Sequence, residues 1–413
     1  MFKEEIFKAY DIRGEYGKDF DADFAKKLGS VLAVHLGAKK LVISRDTRPT
    51  SEGIAKEVIE GMVSVGCDVI DLGATSTPMF YFGVINENAD GGVMVTASHL
   101  GDAFNGFKMT KQSAVGIGGE DLLKEARSLL EGAIEEADKK GVVATKDILG
   151  TCAESSIALS GLERGEITTP VKLIGEEMIL DEIRVVTSAL DIKVVDSGEE
   201  ISFEFDADGD RVVILDSSQR KIRGDLIGGL LAGYYFEGKR IVYDLRYSRG
   251  VLEYLRSKNI EAIPSRIGHK LIKAVMRERD AEFCGEQSGH MYFKEVGYTE
   301  SPALAVLKIL KILKETGKSI DELAGSISTW HTTEEINFDL ASREKILALL
   351  EKTKTRYSDG KIDETDGVRI EYPNWGFLLR PSNTEAKLRL IIDAREASLI
   401  AEKKEELLSL LQE

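Results

Sequence analysis

The chain has 413 residues, 43% hydrophobic and 31% charged, an ordinary globular composition that at roughly 150 residues per domain implies about three domains. A formal net charge of -16 excludes a nucleic-acid surface or an anionic membrane as the main partner and requires an anionic substrate to meet local positive charge. Residues 1–13 contain no apolar run of signal-peptide length, and the apolar stretch at 304–313 is broken by Lys308 and Lys311, so a cytoplasmic protein without a membrane span is expected.

The first third alternates strand-like runs (41–44, 67–72, 92–95) with a helical one (51–65), the signature of a parallel α/β sheet. The helix rests on Ile54, Val58, Ile59, Met62 and Val65 at helical spacing, with Ser51 as expected N-cap and Gly66 as terminator. The run from Val93 leads to Ser98 and His99, followed by Asn105, Gly106 and Lys108. A serine at the carboxyl end of a parallel strand sits where α/β proteins place reactive groups. Its hydroxyl needs a base, a cation or a positive field, which His99 and Lys108 can supply; a capping serine beside a surface histidine is the alternative. The charged run 131–140 reads as a solvated helix end and a first domain boundary. Cys67, Cys152 and Cys284 are scattered among apolar residues, so buried thiols are expected rather than disulfides or zinc.

Between the strand-like runs 201–205 and 212–215 stands Asp206-Ala207-Asp208-Gly209-Asp210-Arg211. Alternation throws three carboxylates to one side of a glycine-relieved turn, an arrangement that is costly unless a divalent cation screens it, and oxygen-only ligands favour Mg2+. A Ca2+ helix-loop-helix site fails, because Arg211 and Ser217 stand where glycine and glutamate are needed.

A weaker echo of strand and helix follows at 240–244, 251–256 and 262–263. Cys284-Gly285-Glu286-Gln287-Ser288-Gly289-His290 then offers a carboxylate and a hydroxyl in a tight loop suited to sugar hydroxyls, or simply a turn with an exposed acid. The last eighty residues read as helix (343–352), three strands (367–372, 376–379, 387–393) and a terminal helix from Ala397, an α+β pattern with antiparallel strands. Within it, Arg380-Pro381-Ser382-Asn383-Thr384-Glu385 supplies a guanidinium, hydroxyls and an amide, the inventory of a phosphate site, with Lys387 and Arg389 nearby. A turn with a solvated arginine is the competing reading.

Taken in order, the Arg13 loop, Thr96-Ala97-Ser98-His99, the triple-aspartate turn, the Glu286 loop and the Arg380 loop resemble the motif series of the α-D-phosphohexomutase superfamily. The likeness is closest to its phosphomannomutase/phosphoglucomutase branch and covers essentially the whole chain. It implies an α/β protein of four domains around a central cleft, three α/β domains with mixed sheets (1–140, 141–221 and 222–330, the second shortened) and a C-terminal α+β domain (331–413). It also implies that Ser98 carries the transferable phosphoryl group and that Asp206, Asp208 and Asp210 hold Mg2+ with a Ser98 oxygen, assisted by Arg211. Lys108, Arg13, His290 and His99 would serve the chemistry; Glu286, Ser288, Arg249 and His269 the sugar; and Arg380, Ser382, Asn383, Thr384 and Arg389 the phosphate that is not transferred. The implied reaction interconverts hexose 1-phosphate and hexose 6-phosphate through a hexose 1,6-bisphosphate, in a monomer or homodimer.

The chain departs from the family after His99, where Leu100-Gly101 replaces the usual Asn-Pro and trades a rigid turn for a flexible one. Other readings are a phosphoglucosamine mutase, to which Gly-Glu-Gln-Ser-Gly is also similar, a Mg2+-dependent serine sugar-phosphatase, and a non-enzymatic sugar-phosphate binder.

Overall fold

The run 41–44 forms the buried centre of the strand Lys40–Arg45, which pairs in parallel with Asp68–Ala74 on one side and Gly91–Val95 on the other. In this computed structural model the described residues are 2–98, 100–197, 201–339, 342–381 and 387–412. They fall into two compact units. The first is Met1–Lys221 with Gly268–Ala274 and Gly289–Gly317, and the second Ile222–Ile267, Val275–Ser288 and Lys318–Glu413.

In the first unit, Phe104–Lys111 runs antiparallel beside Gly91–Val95 and passes the pairing on to Ile12–Glu15, so the first sheet is mixed. Helices Ala22–Leu36 and Ser51–Ser64 pack face to face because two glycines let their backbones approach. A Cβ on Gly29 would stand 2.1 Å from the Val58 carbonyl oxygen, and one on Gly61 would stand 1.9 Å from that of Lys26. Ser51 is not the N-cap expected. It is the first residue inside its helix, and its hydroxyl donates instead to the Asp46 carboxylate, a buried partner that outcompetes the helix's own amides. The charged run 131–140 also differs from its expectation. The helix Gly119–Glu131 stops at Gly132, and the first sheet gains one more parallel strand, Val143–Thr145 beside Asp68–Ala74.

A smaller three-stranded sheet follows, with Ser202–Phe205 antiparallel to Val212–Leu215 and parallel to Lys172–Ile174. Helices Leu149–Ser160 and Glu177–Ala189 bury Cys152 and Glu182 against each other, the thiol donating to the carboxylate at 3.4 Å. Burial pushes the Glu182 carboxyl up from 4.5 to about 7. The native state therefore keeps a proton there that the unfolded chain sheds above pH 4.5, and stability falls as pH rises from 4.5 until about 7. Glu182→Gln, which cannot ionise, is expected to raise stability above pH 7 by about 2–3 kcal/mol and to change it little near pH 4. Denaturant midpoints at several pH values check this; an equal effect at every pH would contradict it.

In the second unit, Arg240–Asp244 pairs in parallel with Glu261–Ser265 and Phe283–Gly285, flanked by helices Gly224–Tyr235 and Arg249–Ser257. The C-terminal sheet contains six strands where the sequence suggested three. His331–Thr332, Ile336–Asp339 and Lys361–Asp363 are short and largely exposed, so they carry little apolar alternation to betray them. Helices Arg343–Arg356 and Ala397–Gln412 cover a core that includes Ile346, Leu350, Trp375, Phe377, Ile392 and Leu407. Cys67, Cys152 and Cys284 are buried and unbonded to one another. No helix among the described residues is long and apolar enough to cross a membrane.

Candidate active site

Ser98 follows the wholly buried strand Gly91–Val95 and is itself only 3% exposed. Its backbone lies at φ +54, a left-handed conformation uncommon for a residue with a Cβ, and its amide donates to Thr96 Oγ1 at 2.9 Å. The turn aims the hydroxyl at the triple-aspartate loop, where Ser98 Oγ donates to Asp208 Oδ1 at 3.0 Å.

That loop is a hairpin tip in which Gly209, at φ +70, makes the reversal. A Cβ there would stand 2.8 Å from Ile179. Asp206, Asp208 and Asp210 each present an oxygen within 4.8 Å of the others. Lys108 enters from the neighbouring strand and donates to Asp208 Oδ2 at 2.6 Å and Asp210 Oδ2 at 2.7 Å. Thr77, at the start of helix Thr77–Asn86, ties the hairpin to the first sheet through its amide to the Asp208 carbonyl and its hydroxyl to Asp208 Oδ2.

One buried ammonium cannot by itself balance two buried carboxylates and a third that is only partly exposed. Burial opposes charge on Lys108 and Asp210, but their mutual attraction prevails, so the lysine is held well above its ordinary range and Asp210 well below. Asp206 takes the imbalance. Burial, reinforced by Asp210 and Asp208, pushes it up to about 8. Asp206 Oδ2 and Asp210 Oδ1 are shielded from solvent and have only the longer approaches of Arg211 and His290 beside them. Three clustered carboxylates, each offering an oxygen to a common point, with a proton that a cation would displace, are a donor set that fits a hard divalent ion.

Arg211 Nε lies 3.4 Å from Asp206 Oδ2, and His290 Nε2 lies 3.2 Å from Asp210 Oδ1 and 3.3 Å from Arg211 Nε. That ring nitrogen accepts from Arg211 when bare and reaches Asp210 when protonated, so it can exchange a proton without moving. His269 is different: burial, then Lys273, hold it well below the ordinary histidine range, and it is neutral against the Tyr10 ring. Arg13 is paired with Asp11 rather than with the aspartate triad. His99, Ser382, Asn383 and Thr384 lie outside the described residues.

In the second unit, Glu286 follows the strand Phe283–Gly285 and faces Arg246 at 3.9 Å, while Arg246 grips Asp244 with two hydrogen bonds. Asp244 also accepts from the Gln287 amide at 2.9 Å, which fixes the turn holding Ser288. Arg249 is engaged by its own surroundings, donating to the Tyr372 carbonyl and stacking on Trp330 at 4.3 Å. Arg380 and Arg389 are directly cross-strand, and Glu335 bridges them at 3.3 and 2.8 Å. Burial and the neighbouring Arg246 both weigh against charge on Arg380. Two close guanidiniums bridged by one carboxylate are an arrangement in which an anion is welcome.

Sequence reasoning missed Arg246, Glu335 and Thr77 as site residues. Glu335 and Thr77 left no local signal. Arg246 did, because an arginine two residues after an aspartate occurs four times, and at Asp11/Arg13, Asp46/Arg48 and Asp244/Arg246 the arginine Nε donates to that aspartate, whereas Arg395 after Asp393 turns to Glu253.

Family models described as phosphoglucomutase/phosphomannomutase alpha/beta/alpha domain I, alpha/beta/alpha domain III and C-terminal domain match residues 4–136, 223–329 and 335–410. A phosphomannomutase of Methanocaldococcus jannaschii is 35% identical over 98% of this chain and 97% of its own length, and one of Escherichia coli is 29% identical over all of both. A solved phosphoglucomutase/phosphomannomutase family protein of Burkholderia thailandensis superposes with TM-score 0.87 at 25% identity, covering 100% of this chain and 98% of its own. An Aspergillus fumigatus N-acetylphosphoglucosamine mutase, solved with GlcNAc-6P and magnesium, shares the fold at TM-score 0.63 and 13% identity, covering 98% of this chain and 95% of its own. The chain is a multi-domain α/β enzyme of the isomerase, intramolecular phosphotransferase type, and it belongs to the phosphoglucomutase/phosphomannomutase family of the α-D-phosphohexomutase superfamily.

Proposed function

We propose that the enzyme interconverts hexose 1-phosphate and hexose 6-phosphate through phosphorylated Ser98 and a hexose 1,6-bisphosphate, with mannose and glucose phosphates as substrates. The observation that carries this is the hydrogen bond from Ser98 Oγ to Asp208 inside a cluster of three carboxylates and a lysine. Phosphoserine brings roughly -1.5 to -2 charges, which only a strongly cationic environment tolerates. Asp206, Asp208 and Asp210 would hold Mg2+ together with an oxygen on Ser98. When bound, that ion neutralises phosphoryl oxygens that Lys108 and Arg211 alone would leave over-charged. The magnesium named with the Aspergillus structure supports this choice of ion.

Lys108, Arg13 and His290 are proposed to serve proton transfer at the sugar oxygens, and His99 to assist the Ser98 hydroxyl. His290 has the most direct support, since its Nε2 faces both a hydrogen-bond donor, Arg211, and an acceptor, Asp210. Glu286 and Ser288, with His269 and Arg249, are proposed to bind sugar hydroxyls. Arg380 and Arg389, with Ser382, Asn383 and Thr384, are proposed to hold the phosphate that is not transferred. The domains are proposed to run 1–140, 141–221, 222–330 and 331–413.

A coupled assay with mannose, glucose and glucosamine 1-phosphates, Mg2+ and a trace of the matching bisphosphate tests the reading. Hexose 6-phosphate formation dependent on the bisphosphate, with one phosphoryl group on the intact protein, is the expected result. Stoichiometric inorganic phosphate would make it a phosphatase instead, and a preference for glucosamine 1-phosphate would reassign the substrate.

A further inference from the structure

We propose that Arg48 is a positioning residue that clamps the Ser98 loop and so sets the direction of the Ser98 hydroxyl; this rests on the phosphoserine reading. The Arg48 side chain is 8% exposed and spends its nitrogens on backbone. Nη2 donates to the Ser98 carbonyl at 2.5 Å and Nη1 to the Gly101 carbonyl at 3.0 Å, so one guanidinium spans both ends of the turn. Its orientation is fixed from behind, since Nε donates to Asp46 Oδ2 at 2.9 Å and the Arg48 amide to Asp46 Oδ1 at 3.1 Å. Asp46 also accepts from Ser51, and Ser51 in turn accepts from Asn105 Nδ2 at 2.9 Å. A buried relay thus runs from the strand Phe104–Lys111 through Asn105, Ser51, Asp46 and Arg48 to the serine loop.

The loop needs such a clamp. Ser98 is held at φ +54, a conformation that an unsupported residue with a side chain leaves readily. Gly101 supplies no stiffness of its own, and a Cβ built on it meets nothing within 4 Å. A planar fork with two donors fits two carbonyls a turn apart, which a lysine ammonium cannot do in one geometry. Displacing the hydroxyl from Asp208 would penalise transfer to and from Ser98 more than sugar binding, because Ser98 is not among the residues proposed to bind the sugar hydroxyls or the fixed phosphate.

The test uses full-length Arg48→Ala and Arg48→Lys in the coupled mutase assay, with single-turnover phosphorylation of Ser98 by the hexose 1,6-bisphosphate. Arg48→Ala is expected to lower kcat and the phosphorylation rate by about 10²-fold, the effect of misplacing a reacting group by about 1 Å. KM should stay within about threefold, since ground-state binding is not removed. Guanidinium ion, or a second substitution Gly101→Pro that stiffens the turn, should restore part of the rate. Wild-type kcat in Arg48→Ala, a loss confined to KM, or a loss that neither guanidinium nor Gly101→Pro recovers would overturn the proposal. Arg48→Lys, expected to fall between the two, carries the same comparison if the alanine variant does not fold. If the clamp proposal alone is wrong, the wild type is still phosphorylated on Ser98 and active while Arg48→Ala matches it; a wild type that takes up no phosphoryl group overturns the phosphoserine reading and the clamp with it.

Discussion

Ser98→Ala is expected to lower mutase turnover by roughly 10⁴-fold or more, the scale on which deleting a nucleophile acts. The variant removes the atom to which the transferred phosphoryl group is proposed to attach; among the described residues the other hydroxyl bonded to Asp208 is that of Thr77, on the opposite carboxylate oxygen. The fold should survive, because the loop is held by backbone contacts, the Ser98 amide to Thr96 and the Ser98 carbonyl to Arg48. Sugar-phosphate binding should persist, since the proposed grips on hydroxyls and on the fixed phosphate do not involve this residue. Steady-state kinetics, intact mass and a binding measurement together check the expectation; turnover near wild type in a protein that carries no phosphoryl group would sink the assignment.

Lys108→Met is the second large effect expected, and it separates charge from chemistry. The ammonium is buried and bonded to two carboxylates, so removing it leaves the aspartate triad without its nearest counter-charge. Breaking a buried pair by deleting one partner costs about 3–5 kcal/mol. In chelator the loss of stability should be greatest at alkaline pH, where the carboxylates can no longer relieve the repulsion by taking up protons. Added Mg2+ should recover part of it by supplying the missing positive charge, which thermal unfolding with and without the ion reads directly. Equal destabilisation with and without Mg2+ would mean that the aspartates are not the ion's ligands. Turnover should fall as well, because Lys108 is also a proposed partner of the sugar oxygens.

The shape of the acidic loop was legible because it is local. Three aspartates at alternate positions around Gly209, between two strand-like runs, fold as the hairpin they imply, since both the turn and its flanking strands are encoded within about fifteen residues. The same holds for the parallel strands of the first sheet and for the buried cysteines, which follow from apolar runs. Where the reading failed, a distant partner intervened. Ser51 was read as a cap from its neighbours, but Asp46 captured its hydroxyl. The short strands of the C-terminal sheet exist because Lys387–Ala394 and Val368–Glu371 offer them edges to pair with, not because their own sequences demand it.

Residue types and their spacing by themselves determined the α/β class, the family likeness and the kinds of group available: an acidic triad, a serine at a strand end and an arginine followed by hydroxyls and an amide. Only the tertiary structure decided which of them meet. Ser98 and Asp208 are 110 positions apart yet share a hydrogen bond, Lys108 is drawn into the triad, and Arg13 is spent on Asp11. The reason is energetic. A buried charge is tolerated only beside its opposite, and which opposite comes within reach is set by the packing of whole sheets and helices, a property that no local stretch of chain contains.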